Sequence, residues 1–180
     1  MTLTRKGVLP YAGILLIGAA LLLVRSGRSD AFTLLCDELL IALGYIAAII
    51  DVKSRVVPNR LIVAMLAIWT LIITPQLLFD TDVAVSRLMD SLLGLLTGGG
   101  VFLLLYIASR KGLGGGDVKF MAVAGLFLGF QGVLPTILCG ALLAVLYSAA
   151  MLLLKKKKLK DTIPFIPFLY AGILITLFLK

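Results

Sequence analysis

Long apolar runs, separated by short charged clusters, repeat from one end of this 180-residue chain to the other. A run of about 18 or more apolar residues can cross a bilayer as a helix, because a helix satisfies its own backbone hydrogen bonds where water is absent. Apolar residues make up 61% of the chain, whereas ordinary soluble domains contain about 45–50%. The pattern predicts an all-α, polytopic membrane bundle of six to seven helices, forming one membrane-embedded domain over residues 1–180.

Seven stretches are predicted to cross the membrane. They are residues 9–24, 32–50, 61–79, 88–108, 118–130, 133–154 and 163–179. The first follows Arg5 and Lys6, as a secretory signal would, but Arg25-Ser-Gly-Arg28 follows it instead of a small-residue cleavage site. We therefore expect this first stretch to be retained as a membrane span.

The distribution of basic residues supports the fifth span, which is the shortest. If the N-terminus is cytoplasmic and all seven stretches cross, thirteen of the 17 Lys and Arg residues lie on the cytoplasmic side. Without the fifth crossing, the lysine run at residues 155–158 would move to the outside, against the positive-inside rule. We therefore expect a real fifth crossing, with Gly129 and Gly132 flanking its outer turn.

The net charge of +8 is explained by these cytoplasmic loops. Membrane lipid is accordingly an expected partner, through its anionic headgroups, and nucleic acid is not. The chain has no histidine, and neither Cys36 nor Cys139 has a second cysteine at CxxC spacing. We therefore expect neither a Cys/His metal site nor a disulfide framework.

Two aspartates stand at the predicted cytoplasmic edge of the membrane. Asp51 directly follows the second span, and Asp117 directly precedes the fifth. Because they lie on different helices at the same depth, the bundle can bring them face to face, and we expect their carboxylates within about 10 Å in at least one state. Two facing carboxylates tend to hold one proton between them, so one can activate water while the other protonates a leaving amine. Two facing carboxylates are the arrangement that peptide hydrolysis by an aspartic mechanism needs, and for such hydrolysis we expect no metal or organic cofactor.

Four glycines precede the second aspartate. Gly112, Gly114, Gly115 and Gly116 lack a Cβ, so another chain can approach their backbone closely. An extended substrate could pair with this backbone as a peptide pairs with a strand edge. The spacing is not that of a phosphate-binding loop. We therefore predict that these glycines bind substrate.

Each of these acids also has a structural interpretation. Asp117 could merely cap the fifth helix, and Asp51 could merely end the second span among the headgroups. Asp37 and Glu38 are rival functional acids, because ionisable residues inside a span are costly. We favour placing these two in the first turns of the second helix near the outer headgroups, where negative charge suits the helix dipole.

The remaining polar residues are given structural roles. Pro58-Asn59 is interpreted as a turn and cap before the third span, and Lys53 and Lys119 as topological anchors. Asp80 and Asp82 are expected to be solvated in a short outer loop. Pro164 and Pro167 are expected to shape the entry to the last span, and could also line the cleft.

Three motifs resemble those of the type IV prepilin peptidase family. Asp51 followed by Lys53, Pro58 and Asn59 resembles its first aspartate loop. The stretch Gly112-Leu-Gly-Gly-Gly-Asp117-Val-Lys119 resembles its GxGD loop. The stretch Ile163-Pro-Phe-Ile-Pro-Phe168 resembles its I-P-F-G-P-F sequence, with Ile166 where glycine is common. The motifs occur in the family's order and span residues 51–168.

The resemblance implies a GxGD-type membrane aspartyl protease with Asp51 and Asp117 as its catalytic pair. Its substrates would be type IV prepilins or pilin-like proteins of pilus assembly and protein secretion. Their short basic leader stays in the cytoplasm and is cut just before an apolar helix. The implied location is the plasma membrane, with the active site facing the cytoplasm.

The sequence also departs from many family members in its N-terminal part. Many members also methylate the new N-terminus and carry an N-terminal cytoplasmic region with paired cysteines. This sequence has no such region, so the short, peptidase-only form is expected. Two other functions are kept as alternatives: a GxGD protease with other membrane clients, such as remnant signal peptides, and a noncatalytic membrane scaffold or small transporter.

Overall fold

The computed structural model describes residues 17–23, 30–109, 113–155 and 163–180. Residues 17–23 are helical, and the rest of the predicted first span lies outside the described residues. Five further helices follow: α1 Ala31–Ser54, α2 Asn59–Phe79, α3 Thr81–Ala108, α4 Gly115–Leu153 and α5 Ile166–Leu179. The described residues contain no strand, so the all-α prediction is confirmed.

Four of these helices, α1 to α4, are long and apolar enough to cross a membrane, and α5 is a shorter apolar helix of 14 residues. Large apolar side chains cover their outer faces: Phe79 is 89% exposed and Leu153 is 84% exposed. In water such surfaces would drive aggregation, whereas in a bilayer they contact lipid. The protein is therefore a multi-pass membrane protein.

Helix α4 is interrupted at Gly129, whose φ of 67° and ψ of 175° are not helical. The segment before this glycine begins beside Asp51, because Asp117 and Asp51 line the same cleft. If α4 were straight, Tyr147 would lie about 45 Å from Asp117, given a rise of about 1.5 Å per residue. The contacts of Tyr147 exclude this.

The ring of Tyr147 lies 5.2 Å from that of Phe168. Phe168 is in the first turn of α5, and the N–H of Ile166 at the start of that turn donates a hydrogen bond to Asp51. The chain has therefore returned to the level of Asp51 by residue 147. Residues 115–128 and 130–153 are thus two antiparallel segments, as the fifth and sixth predicted spans require.

The bundle has two ends, named here the Asp51 end and the Asp30 end. At the Asp30 end, Arg87 donates to Asp30 at 2.6 Å and to Gln76 at 2.7 Å, and thereby links the starts of α1 and α3 to the end of α2. Burial raises the pKa of the Asp30 carboxyl, but a hydrogen bond from Thr33 and the charge of Arg87 outweigh it, so this pKa lies below its ordinary value of 3.8.

The connections differ in length between the two ends. At the Asp30 end, only Asp80 separates α2 from α3, and only Gly129 separates the two segments of α4. At the Asp51 end, the connections comprise residues 55–58, 109–114 and 154–165. Asp80 and Asp82 are exposed as predicted, but the expected loop is reduced to Asp80, because α3 begins at Thr81 and not at residue 88.

Glycines bring the backbones of α3 and α4 into direct contact. A Cβ on Gly94 would overlap the carbonyl oxygen of Gly125, and a Cβ on Gly125 would overlap that of Gly94. One turn along α3, a Cβ on Gly98 would meet the carbonyl oxygen of Met121. Small residues four apart allow such close approach between membrane helices, where van der Waals packing drives association. This contact fixes the segment that carries Asp117.

The second segment of α4 packs against α5 in a similar way. A Cβ on Gly172 would overlap the carbonyl oxygen of Thr136. The hydroxyls of Thr136 and Thr176, both buried, form a hydrogen bond of 3.0 Å across the same interface. Helix α5 in turn contacts α1. It therefore connects the segment that follows Gly129 to the helix that carries Asp51.

The rival acids, Asp37 and Glu38, lie in the first two turns of α1 as predicted, but the environment of Asp37 differs from the one that we favoured. Helix α1 begins at Ala31, and its first turn contains no acidic residue. Asp37 lies in the second turn and is wholly buried, while the carboxylate of Glu38 packs against Gly18. Asp37 therefore does not face the lipid headgroups, because protein encloses its side chain.

Replacing Gly129 with alanine is expected to lower the free energy of unfolding by about 1–3 kcal/mol, because its φ and ψ are accessible almost only to glycine. The new Cβ would also displace the carboxylate of Asp90, which accepts the N–H of Phe130 at 3.1 Å. Thermal unfolding in detergent measures the effect. Gly100→Ala is the matched control, because its Cβ would meet no atom within 4 Å. Equal stability of the two variants would contradict the assigned turn.

Candidate active site

A cleft of about 480 Å³ opens at the Asp51 end of the bundle. Its walls are the last turn of α1, the connection at residues 55–58, the start of α2 and the first turn of α4. Asp51 and Asp117 both line it, together with residues 114–116. The structure therefore brings together the two aspartates and three of the four glycines that the sequence singles out.

Asp51 lies in the last turn of α1 and is only 5% exposed. Its Oδ2 atom accepts a hydrogen bond of 3.1 Å from the backbone N–H of Ile166. Ile166 is the first residue of α5, where backbone N–H groups have no partner within the helix and Pro167 favours the helical start. The start of α5 therefore holds the Asp51 carboxylate in one orientation.

Two observations do not fit a purely structural role for Asp51 at the end of a span. Helix α1 continues past Asp51 to Ser54, whose hydroxyl donates to the carbonyl of Ile50 at 2.8 Å. Asp51 is also enclosed by protein, whereas a residue that merely ends a span would face the headgroups. A buried carboxylate with a dedicated backbone donor is costly to maintain and is typical of functional sites.

Asp117 is the third residue of α4 and is 8% exposed. Its Oδ2 atom accepts the N–H of Gly114 at 3.2 Å, so it does satisfy a backbone donor at the helix start, as the capping interpretation supposed. The N-cap itself is Gly114. Asp117 is also close enough to Asp51 for their charges to interact. Its cap-like hydrogen bond orients the side chain but does not explain a second buried acid beside it.

Lys119 and Asn59 form part of the cleft wall. The Lys119 Nζ donates to the Asn59 Oδ1 at 3.0 Å, and this bond joins α4 to the start of α2. The interpretation of Pro58-Asn59 as a turn and cap before the third span is confirmed, because Pro58 is the N-cap of α2, and the Asn59 side chain in addition binds Lys119. Lys119 is likewise more than an anchor. The sequence signal that was available is that each aspartate is followed within nine residues by further polar residues, Lys119 after Asp117 and Asn59 among those after Asp51.

Two of the predicted substrate-binding glycines have a helical backbone and not the extended backbone that was predicted. Gly115 and Gly116 are the first two residues of α4 and not part of an extended loop, so they cannot act as a strand edge. A Cβ on Gly116 would lie 3.2 Å from the side chain of Val57, whereas a Cβ on Gly115 would meet no atom within 4 Å. Gly116 therefore lets the connection at residues 55–58 pack closely, and Gly115 borders open cleft. Gly112 lies outside the described residues.

Two buried carboxylates on separate helices therefore line one open cleft, at the end of an apolar bundle. Each accepts a backbone N–H, which restrains its rotation. Water can enter this space, and a peptide segment can reach it from the open side. Such an arrangement can activate water with one carboxylate while the other carboxyl donates a proton.

Comparison with known proteins relates this site to a family. Residues 39–149, which include both aspartates, match the type IV leader peptidase family. The chain is 29% identical over 133 residues to a prepilin leader peptidase/N-methyltransferase of Bacillus subtilis (strain 168), covering 73% of this chain and 50% of that protein. It is 31% identical over 135 residues to the Escherichia coli (strain K12) protein of the same name, covering 72% of this chain and 56% of that protein.

A shorter relative is covered more completely. Leader peptidase HopD of Escherichia coli is 31% identical over 134 residues, which cover 68% of this chain and 78% of that protein. The chain thus spans about half the length of the N-methyltransferase-type relatives and most of this shorter one. No solved structure shows significant similarity to the chain.

Proposed function

Because the chain belongs to the type IV leader peptidase family, we propose that it is a membrane aspartic endopeptidase that removes short leaders from type IV prepilins or pilin-like precursors. The observation that carries this proposal is the pair of buried acids, Asp51 and Asp117, in one cleft at one end of the bundle. The proposed location is the plasma membrane, with the Asp51 end facing the cytoplasm.

The proposed mechanism uses the two carboxyl groups as one unit that holds a single proton. The ionised carboxylate removes a proton from a water molecule in the cleft, and the resulting nucleophile attacks the scissile carbonyl carbon. The protonated carboxyl donates a hydrogen bond to the developing oxyanion and then protonates the leaving amine. The carboxyl that donated its proton is then ionised and the other carboxyl is protonated, so the pair is ready for another turnover.

The surrounding residues have supporting roles in this proposal. The N–H of Ile166 and the N–H of Gly114 orient the two carboxylates, so that neither has to be ordered when substrate binds. Gly115 leaves room beside Asp117 for a peptide backbone. Arg55, which also lines the cleft, brings a positive charge that favours the ionised form of Asp51.

A cleavage assay on the protein in detergent or liposomes tests the proposal. The substrate is a precursor with a short basic leader before an apolar helix, and the matched control has an ordinary secretory signal in place of the leader. We expect the first substrate to be cut at the leader boundary and the control to stay intact, as read by mass spectrometry of the new N-terminus.

The alternatives predict other outcomes of this assay. If the ordinary signal or its remnant is cut in preference, the protein is a GxGD protease with other clients. If neither substrate is cut by folded protein, the noncatalytic scaffold or transporter becomes the better interpretation.

A further inference from the structure

A second cavity, of about 440 Å³, lies on the outer surface of the bundle between α1 and α5. One face of α1, from Tyr45 to Lys53, forms its first wall, and Pro167 and Tyr170 form the second. The residues on α1 follow helical spacing and run for about 12 Å along the helix axis. This surface, named here the α1–α5 groove, is mostly apolar, with two tyrosines in its walls and Lys53 as its one charged residue, at the Asp51 end.

The groove begins where the catalytic cleft ends. Val52 and Lys53, which directly follow Asp51 in the chain, line the groove. On the facing helix, Ile166 donates its N–H to Asp51, and the next residue, Pro167, lines the groove. Only the last turn of α1 and the first turn of α5 therefore separate the two cavities. A chain that leaves the cleft for the bilayer can enter the groove within a few residues.

The floor of the groove contains an unsatisfied polar group. Tyr170 is 9% exposed, and its hydroxyl has no hydrogen-bond partner within the described part of the chain. Its ring stands edge-on to Tyr45 with 6.0 Å between centroids. Gly44 gives the ring its room, because a Cβ there would lie 3.0 Å from it. A buried hydroxyl without a partner is unfavourable unless another molecule supplies one.

We propose that the α1–α5 groove binds the apolar helix that follows the scissile bond of the precursor. This inference rests on the proposed function, because it names where the substrate's membrane segment lies during cleavage. Apolar side chains on one face of that helix would fill the groove, as amphipathic helices fill hydrophobic grooves elsewhere. A backbone carbonyl or polar side chain of the helix would accept the Tyr170 hydroxyl.

A pair of matched tryptophan variants tests the groove. Val52 lies in the groove and is 59% exposed, while Val63 lies on the outer face of α2 and is 63% exposed. Val52→Trp is expected to lower kcat/KM for the precursor roughly tenfold, mainly through KM, because it removes binding space. Val63→Trp is expected to keep wild-type kinetics. Equal kinetics of the two variants would overturn the proposal.

Cross-linking separates this inference from the proposed function. A photoreactive amino acid is placed at position 52 or 63 of the Asp117→Asn variant, which is then mixed with the intact precursor in liposomes. We expect precursor adducts from position 52 and only lipid adducts from position 63. Lipid adducts alone at both positions would overturn the groove assignment even if the wild type cleaves. Precursor adducts at position 52 without wild-type cleavage would retain the groove and reject the peptidase.

Removal of the Tyr170 hydroxyl gives a further readout. Tyr170→Phe is expected to raise KM several-fold while leaving thermal stability equal or higher, because the hydroxyl has no partner in the described structure. Lower stability with unchanged KM would show that the hydroxyl has a structural role, and would contradict its assignment to the substrate.

Discussion

Replacing Asp51 or Asp117 with asparagine is expected to reduce the rate of precursor cleavage by roughly 10³-fold, because each variant removes one partner of a proton-sharing pair. Asparagine has nearly the same size as aspartate and can still accept the backbone N–H that each side chain now receives. The fold should therefore survive. Initial rates of leader removal, with thermal unfolding in detergent measured in parallel, separate lost chemistry from lost structure.

Asp82→Asn is the matched control for these variants, because Asp82 is exposed in the first turn of α3 at the opposite end of the bundle. Its cleavage rate should equal that of the wild type. The wild-type pH–rate profile should fall on both sides of its maximum, since protonation of both carboxyls removes the base and ionisation of both removes the acid. A folded Asp51→Asn or Asp117→Asn protein that cleaves at the wild-type rate would remove that aspartate from the mechanism.

Replacing Gly94 or Gly125 with alanine is expected to have the second largest effect. Either new Cβ would overlap a backbone carbonyl of the facing helix, so α3 and α4 would have to separate along their contact. We expect a loss of about 3 kcal/mol in the free energy of unfolding, at the upper end of the cost of overpacking. Cleavage by the protein that remains folded should fall about 10²-fold, because α4 carries Asp117 and small displacements of catalytic groups are costly.

Gly100→Ala is a control on the same helix as Gly94, and its expected effect on stability has the opposite sign. Its Cβ would meet nothing within 4 Å, and alanine is favoured over glycine inside helices by about 1 kcal/mol. This variant should be as stable as the wild type or more so. If Gly94→Ala behaves like Gly100→Ala in thermal unfolding, the close backbone contact between α3 and α4 does not hold the bundle together.

Much of the fold could be predicted from the sequence, because a bilayer allows few solutions for a long apolar run. The apolar runs gave the helices, and the placement of Asp51 and Asp117 at run ends put both acids at one end of the bundle. The basic residues after the sixth run required a reversal near Gly129. The structure has that reversal, with a positive φ at Gly129 itself.

The details of the site depend on contacts between segments that are distant in sequence. The hydrogen bond from Ile166 to Asp51 joins residues 115 positions apart. The bond between Lys119 and Asn59 joins residues 60 positions apart. Both depend on how helices pack, and apolar patterning does not specify packing when every helix face is apolar. The sequence therefore predicted a role for Asn59 and for Lys119 within the loop of each residue, but not the hydrogen bond between them.

The helical state of Gly115 and Gly116 was missed for a related reason. A glycine cluster favours turns in isolation, because glycine loses more backbone entropy in a helix than other residues. Here the packing of Gly116 against Val57 and the hydrogen bond between Gly114 and Asp117 outweigh that preference. Tertiary contacts thus extend the helix into a sequence that would not start one alone.

The unequal connections at the two ends of the bundle have a mechanical consequence. At the Asp30 end, Asp80 alone joins α2 to α3, Gly129 alone joins the two segments of α4, and Arg87 links three helix ends. At the Asp51 end, hydrogen bonds join the helix ends, from Ile166 to Asp51 and from Lys119 to Asn59. Helices should therefore separate more readily at the Asp51 end, where hydrogen bonds join them, than at the Asp30 end, where the backbone reverses within one residue. Such separation would widen the cleft between the two aspartates for a bulky precursor.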